Sequence, residues 1–189
     1  MQVHALEGRL NDLARTTLVL LLLASAGCSH KQTAPTTCDN EGTDLVAFSS
    51  DRGHHGQYDV YLYDADQVGY RALRNLNSAT ASDSNPALSS DAQLIAFVSA
   101  RGTTGTDLYV YERISCSILS TPGLGSAGDE TDPTFSGDTG RLAFARDTLG
   151  HRRIRVVTAK SINFVPLPGL DTLNAPYDDW APSPDQTGD

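Results

Sequence analysis

From Leu45 onward the chain alternates short apolar runs with polar turns. The runs "DLVAFSS", "YDVYLYD", "QLIAFVS", "DLYVYE", "RLAFAR" and "RIRVVT" are rich in Val, Ile, Tyr and Phe, side chains that suit a pleated, packed surface. Apolar residues fall on both parities, as with Leu108 and Val110 against Tyr109 and Tyr111. A sheet wetted on one face would alternate more cleanly, so these strands are expected to be buried on both faces. Between them stand "SSDAQ", "SGDTG" and "DADQVG", mixtures of Asp, Ser and Gly that make tight turns. No stretch has the 3.6-residue period of an amphipathic helix. The pattern predicts an all-β protein.

The runs also recur. Ala-Phe pairs stand at Ala47-Phe48, Ala96-Phe97 and Ala143-Phe144, spaced by 49 and 47 residues. Prolines three residues after an acid stand at Pro86, Pro133 and Pro182, spaced by 47 and 49, and Pro to Phe is 11 residues both times. Short strands inside a period of roughly 40 to 50 residues point to propeller blades.

The residues Pro86, Ser89, Asp91, Ile95, Ala96, Phe97, Ser99, Arg101, Gly102, Asp107, Leu108 and Tyr109 form a pattern that resembles the TolB-type six-bladed β-propeller repeat. Blade one supplies Ala47, Phe48, Ser50, Arg52, Gly53, Asp59, Val60 and Tyr61. Blade three keeps Pro133, Ser136, Asp138, Leu142, Ala143 and Phe144, but has no Arg-Gly and places Arg155-Val156 where Asp-Tyr would stand. The resemblance covers residues 44–189 and implies three blade equivalents, half of a six-bladed ring. It further implies that blade one lacks an innermost strand and that an extra one lies near Pro182. Two copies would make six blades. One expectation is therefore a two-fold homodimer in which the segment Trp180 to Pro184 completes the partner's first blade. A half-propeller fragment is the alternative.

Ahead of the repeats, Arg15 precedes an unbroken apolar run, Leu18 to Leu23, which passes through Ser25-Ala26-Gly27 to Cys28. The run is shorter than the ~20 apolar residues needed to span a bilayer, and has the proportions of a signal-peptide core. With Cys28 it resembles a bacterial lipoprotein signal, with Ser25 where Leu is usual. Residues 1–27 are read as that signal, Cys28 as the lipidated N-terminus, and 28–43 as a flexible tether. Ser29 after the cysteine implies outer-membrane sorting.

The net charge of −9 and pI near 4.8 exclude nucleic-acid binding through a basic face. Loss of residues 1–27 removes Glu7, Asp12, Arg9 and Arg15 and leaves the charge unchanged. An envelope location permits a disulfide between Cys38 and Cys116. Aspartates that recur in every blade, such as Asp91 and Asp138, are expected to hold turns, and no catalytic residue is assigned. Arg52, Arg101, His54 and His55 follow the Ala-Phe pairs on equivalent loops and are expected to share one rim, where arginines suit a partner's carboxylates. His151 sits at the matching offset in blade three, without the convergence a metal site needs. No cofactor or metal is expected. The functional expectation is a non-enzymatic, lipid-anchored envelope protein whose propeller binds envelope proteins. The alternative is a polysaccharide lyase or glycosidase using the channel, which would need a non-repeating acid/base cluster.

Overall fold

A computed structural model describes residues 38, 42, 44–54, 56–121, 124–160, 163–166 and 177–185; for 54, 159, 160 and 163–166 it describes only the backbone. Residues 1–27, Cys28 and His55 lie outside this set.

The described secondary structure is all β, in three antiparallel sheets that each follow chain order. Blade one holds β1 (Leu45–His54), β2 (Gln57–Asp64) and β3 (Gly69–Ala72). Blade two holds β4 (Asp83–Leu88), β5 (Leu94–Ser99), β6 (Asp107–Glu112) and β7 (Ser117–Ile118). Blade three holds β8 (Glu130–Phe135), β9 (Arg141–Thr148), β10 (His151–Lys160) and β11 (Asn163–Pro166). The innermost strand β4 touches blade one on one side and β8 of blade three on the other.

Both-parity burial follows from stacking. Val60 and Leu62 of blade one pack against Ile95, Phe97 and Tyr111 of blade two. The opposite face of blade two, Ala96, Val98, Leu108 and Val110, packs against Phe135, Leu142, Phe144 and Val157 of blade three. Each large apolar side chain enclosed this way contributes about 1.5–3 kcal/mol.

The recurring motif has a local physical cause. Ser89 Oγ donates to Asp91 and accepts the Leu94 N–H at 2.9 Å, while Asp91 accepts the Gln93 N–H at 3.0 Å. Ser136 and Asp138 repeat the arrangement, with Ser136 accepting the Arg141 N–H and Asp138 the Gly140 N–H. Serine and aspartate at this spacing thus satisfy the backbone of the inner hairpin turn. The proline marks a bulge. The β4–β5 register shifts between Ser84 and Ala87, and the β8–β9 register between Thr131 and Thr134. Proline has no N–H for the ladder, so it is tolerated where pairing is interrupted. The residue before it is left-handed each time: Asn85 (φ 49°), Asp132 (φ 54°) and Ala181 (φ 44°).

Ala181 and Pro182 therefore repeat the innermost-strand conformation, yet 177–185 joins no described ladder. It lies along blade three, where Asp179 N–H donates to Arg152 O at 3.1 Å and Gly137 N–H donates to Asp185 O at 3.3 Å. Cys116 sits in the turn before β7, with φ 50°, and not in the outer strand itself. It is disulfide-bonded to Cys38, their Cα atoms 5.3 Å apart. Cys38, inside the stretch read as a tether, packs beside the core between blades one and two.

Candidate functional site

The β1–β2, β5–β6 and β9–β10 turns project from one end of the blades, together with the segments that lead into β4 and β8. This rim carries Arg52, Arg101 and the backbone of His54; the side chain of His54 and all of His55 lie outside the description.

The two arginines differ. Arg101 lies 5.1 Å and 5.0 Å over the rings of Phe97 and Tyr109. Its Nε donates to Ser99 Oγ at 2.8 Å, and its Nη2 donates to Asp83 Oδ1 at 2.7 Å and to Leu76 O at 2.8 Å. Asp83 is fully buried, so removing the arginine would strand a buried charge. Arg101 is a strut of blade two and not the exposed rim group expected from its position. In blade three Arg146 fills the same role, donating to Glu130 Oε1 at 2.7 Å and Leu124 O at 2.9 Å. Arg52 has the same aromatic seat, over Phe48, Tyr61 and Tyr70, and the same serine partner, Ser50 Oγ at 3.0 Å. It is exposed, and no described acid faces it. Gly53 and Gly102 complete the motif: a Cβ would stand 2.7 Å from Tyr61 Oη at the first and 2.2 Å from Asp107 Oδ2 at the second.

A recess of about 600 Å³ opens on the rim at blade three, lined by Ser126–Asp129 of the segment leading into β8, by Arg146–Leu149 and by Arg155. Leu149 is 97% exposed at its lip. Burial lowers the pKa of Arg155, and the neighbouring positive charges of Arg146 and Arg153 lower it further. The acids nearby hold loops. Asp129 accepts the Thr106 N–H at 2.7 Å, and Asp147 accepts the Gly150 N–H at 3.0 Å. Glu130 accepts Ser126 Oγ at 2.6 Å and Arg146 Nε. Its Oε2 is buried without a hydrogen bond among the described residues, and burial raises its pKa despite the arginine.

His151 meets Asp178, Nδ1 to Oδ1 3.4 Å, and Asp178 also accepts the Arg152 N–H at 2.9 Å. That backbone bond first, then His151, holds the Asp178 carboxyl below its ordinary range. Among the described residues, no group of three or more His, Cys, Asp and Glu could hold a metal ion. Sequence reasoning missed Leu149, an apolar residue in a turn, and the guanidinium of Arg152, which covers the Trp180 ring at 4.2 Å. The acids three residues before each repeat proline were a usable signal for the struts.

Interlocked antiparallel blades, an inner-strand bulge at each repeat proline and arginine struts define a propeller of TolB type. Solved structures similar to this chain include the putative TolB from Agrobacterium tumefaciens (TM-score 0.57, 20% identity, 77% of this chain and 48% of that one). TolB from Acinetobacter baumannii gives 0.46 at 19% identity, over 69% of this chain and 34% of that one. The tricorn protease gives 0.48 at 13% identity, over 70% and 17%. At these identities the likeness is one of fold. The chain spans about half the length of the Agrobacterium protein. No protein-family model and no curated relative matches the sequence.

Proposed function

We propose that this chain is a non-enzymatic protein of the bacterial cell envelope, lipid-anchored through Cys28, whose propeller rim binds an envelope protein. The observation that carries the reading is the rim recess, with exposed Leu149 at its lip and Arg155 in its wall. An apolar group beside a guanidinium fits a partner segment that joins an apolar side chain to a carboxylate. The TolB-type fold and the lipoprotein-like signal support the address. The test places a photo-cross-linking amino acid at Leu149 in cells expressing the full chain. A discrete protein adduct, lost on Arg155→Ala and retained with the cross-linker moved to exposed Val68, is expected. Equal adducts from both positions, or none from Leu149 in folded protein, would overturn the rim as the binding surface. Incorporation of a labelled fatty acid, abolished by Cys28→Ser, tests the anchor separately.

A further inference from the structure

The unmatched ends of the three-blade array are chemically complementary. In blades two and three, an acid on the innermost strand meets an arginine of the next strand: Asp83 with Arg101 and Glu130 with Arg146. Blade one presents the arginine alone. Arg52 rests on its aromatic seat with Nε on Ser50, and no described strand pairs with the inner edge of β1. The segment 177–185 presents the acid alone. Asp179 stands three residues before Pro182, as Asp83 stands before Pro86, and the left-handed Ala181 copies the bulge of Asn85. The blade-one face turned away from blade two has the same history. Val46 is 56% exposed and Tyr63 37%, while their counterparts Ile95 and Tyr111 in blade two are 0% and 1% exposed. Apart from the Arg52 guanidinium over Phe48, Tyr61 and Tyr70, no described strand packs on this face.

We propose that a second copy of this chain supplies the missing strand: residues 179–184 of each copy add to the β1 edge of the other, and Asp179 takes the Arg52 guanidinium across the contact. Transposing the β4–β5 register pairs Asp179 with Ser50, Trp180 with Ser49, Ser183 with Ala47 and Pro184 with Val46. The same docking brings the outer face of blade three onto the aromatic face of blade one. Two such contacts related by a two-fold axis close the ring with no free inner edge. The segment cannot serve its own chain in this way, because it is hydrogen-bonded along blade three, at the opposite end of the array from β1.

Sedimentation equilibrium of the full chain in density-matched detergent tests this, with near-ultraviolet circular dichroism to report folding. The expected mass is twice that of the chain. Arg52→Asp or Asp179→Arg alone should weaken the dimer by about 10-fold or more, and the double exchange should restore it to within about 3-fold, as coupled charges do. A chain carrying Ala47→Cys and Ser183→Cys should also form a cross-linked dimer on oxidation, a readout that survives if a charge variant fails to fold. A monomer throughout the micromolar range, a ladder of larger species, or charge variants that leave the dimer unchanged would each overturn the proposal.

Discussion

Glu130 carries a legible electrostatic tension. One carboxylate oxygen is satisfied by Ser126 and Arg146 and the other is buried unpaired, so burial wins and the folded pKa is raised. A raised folded pKa stabilises the native state most below the unfolded value, near 4.3 for glutamate, and the contribution is lost as pH rises through the folded value. Relative to Glu130→Gln, which stays neutral, the native protein should gain stability as pH is lowered from 7 toward about 4.5. Paired urea titrations across that range measure the difference, and a flat or opposite trend refutes it. Asp138 and Asp178 act in the other direction: both folded pKa values are lowered, so their contributions are lost as pH falls through those values. At this scale the turn aspartates were legible, because a Ser and an Asp two residues apart can bond only locally. Arg101 was not. Its sequence gives a position beside Gly102 and no hint that Asp83 and the Leu76 carbonyl, 18 and 25 residues away in sequence, would claim its guanidinium.

Among the elements, β1, β5 and β9 were readable from Ala-Phe and its flanking strand formers, and the hairpins from their turn residues. The segment 177–185 was harder. Its Pro182 spacing marks an innermost strand, but a strand is a property of a pair, and the described chain offers it no partner. The burial of Cys116 was not legible, because Ser-Cys-Ser gives no sign of the left-handed turn that buries it. The bond from Cys38 to Cys116 closes a span of 78 residues that contains all of blade one. A loop of that size restricts the unfolded chain strongly, and its loss should cost about 4 kcal/mol. Urea unfolding of the oxidised protein against a Cys38→Ala, Cys116→Ala variant reads this directly. Coincident midpoints would show that blade one holds without the link.

For the whole molecule, the fold class followed from repetition: a period near 48 residues with both-face burial admits few architectures, and stacked blades satisfy it. The exposed side of blade one was invisible in the sequence for the same reason, since Val46 and Tyr63 read like any interior blade's residues. Exposure appears only when the neighbour is missing. A ring closed by two copies, as proposed above, would make folding and assembly one equilibrium. The thermal midpoint should then rise with protein concentration, by mass action, and a midpoint constant over a hundredfold range of concentration would count against it.

The Cys38–Cys116 bond also sets the route of mechanical load. A pull on a lipid anchor at residue 28 would travel along the backbone to Cys38 and then cross through sulfur to the turn before β7. The covalent path enters the structure at blade two, and the 28 residues from Leu45 to Ala72 hang outside the line of tension. Blade one, which has the most open edge, would be shielded from membrane drag while the bond is intact. Reduction would make it the first element to bear the force.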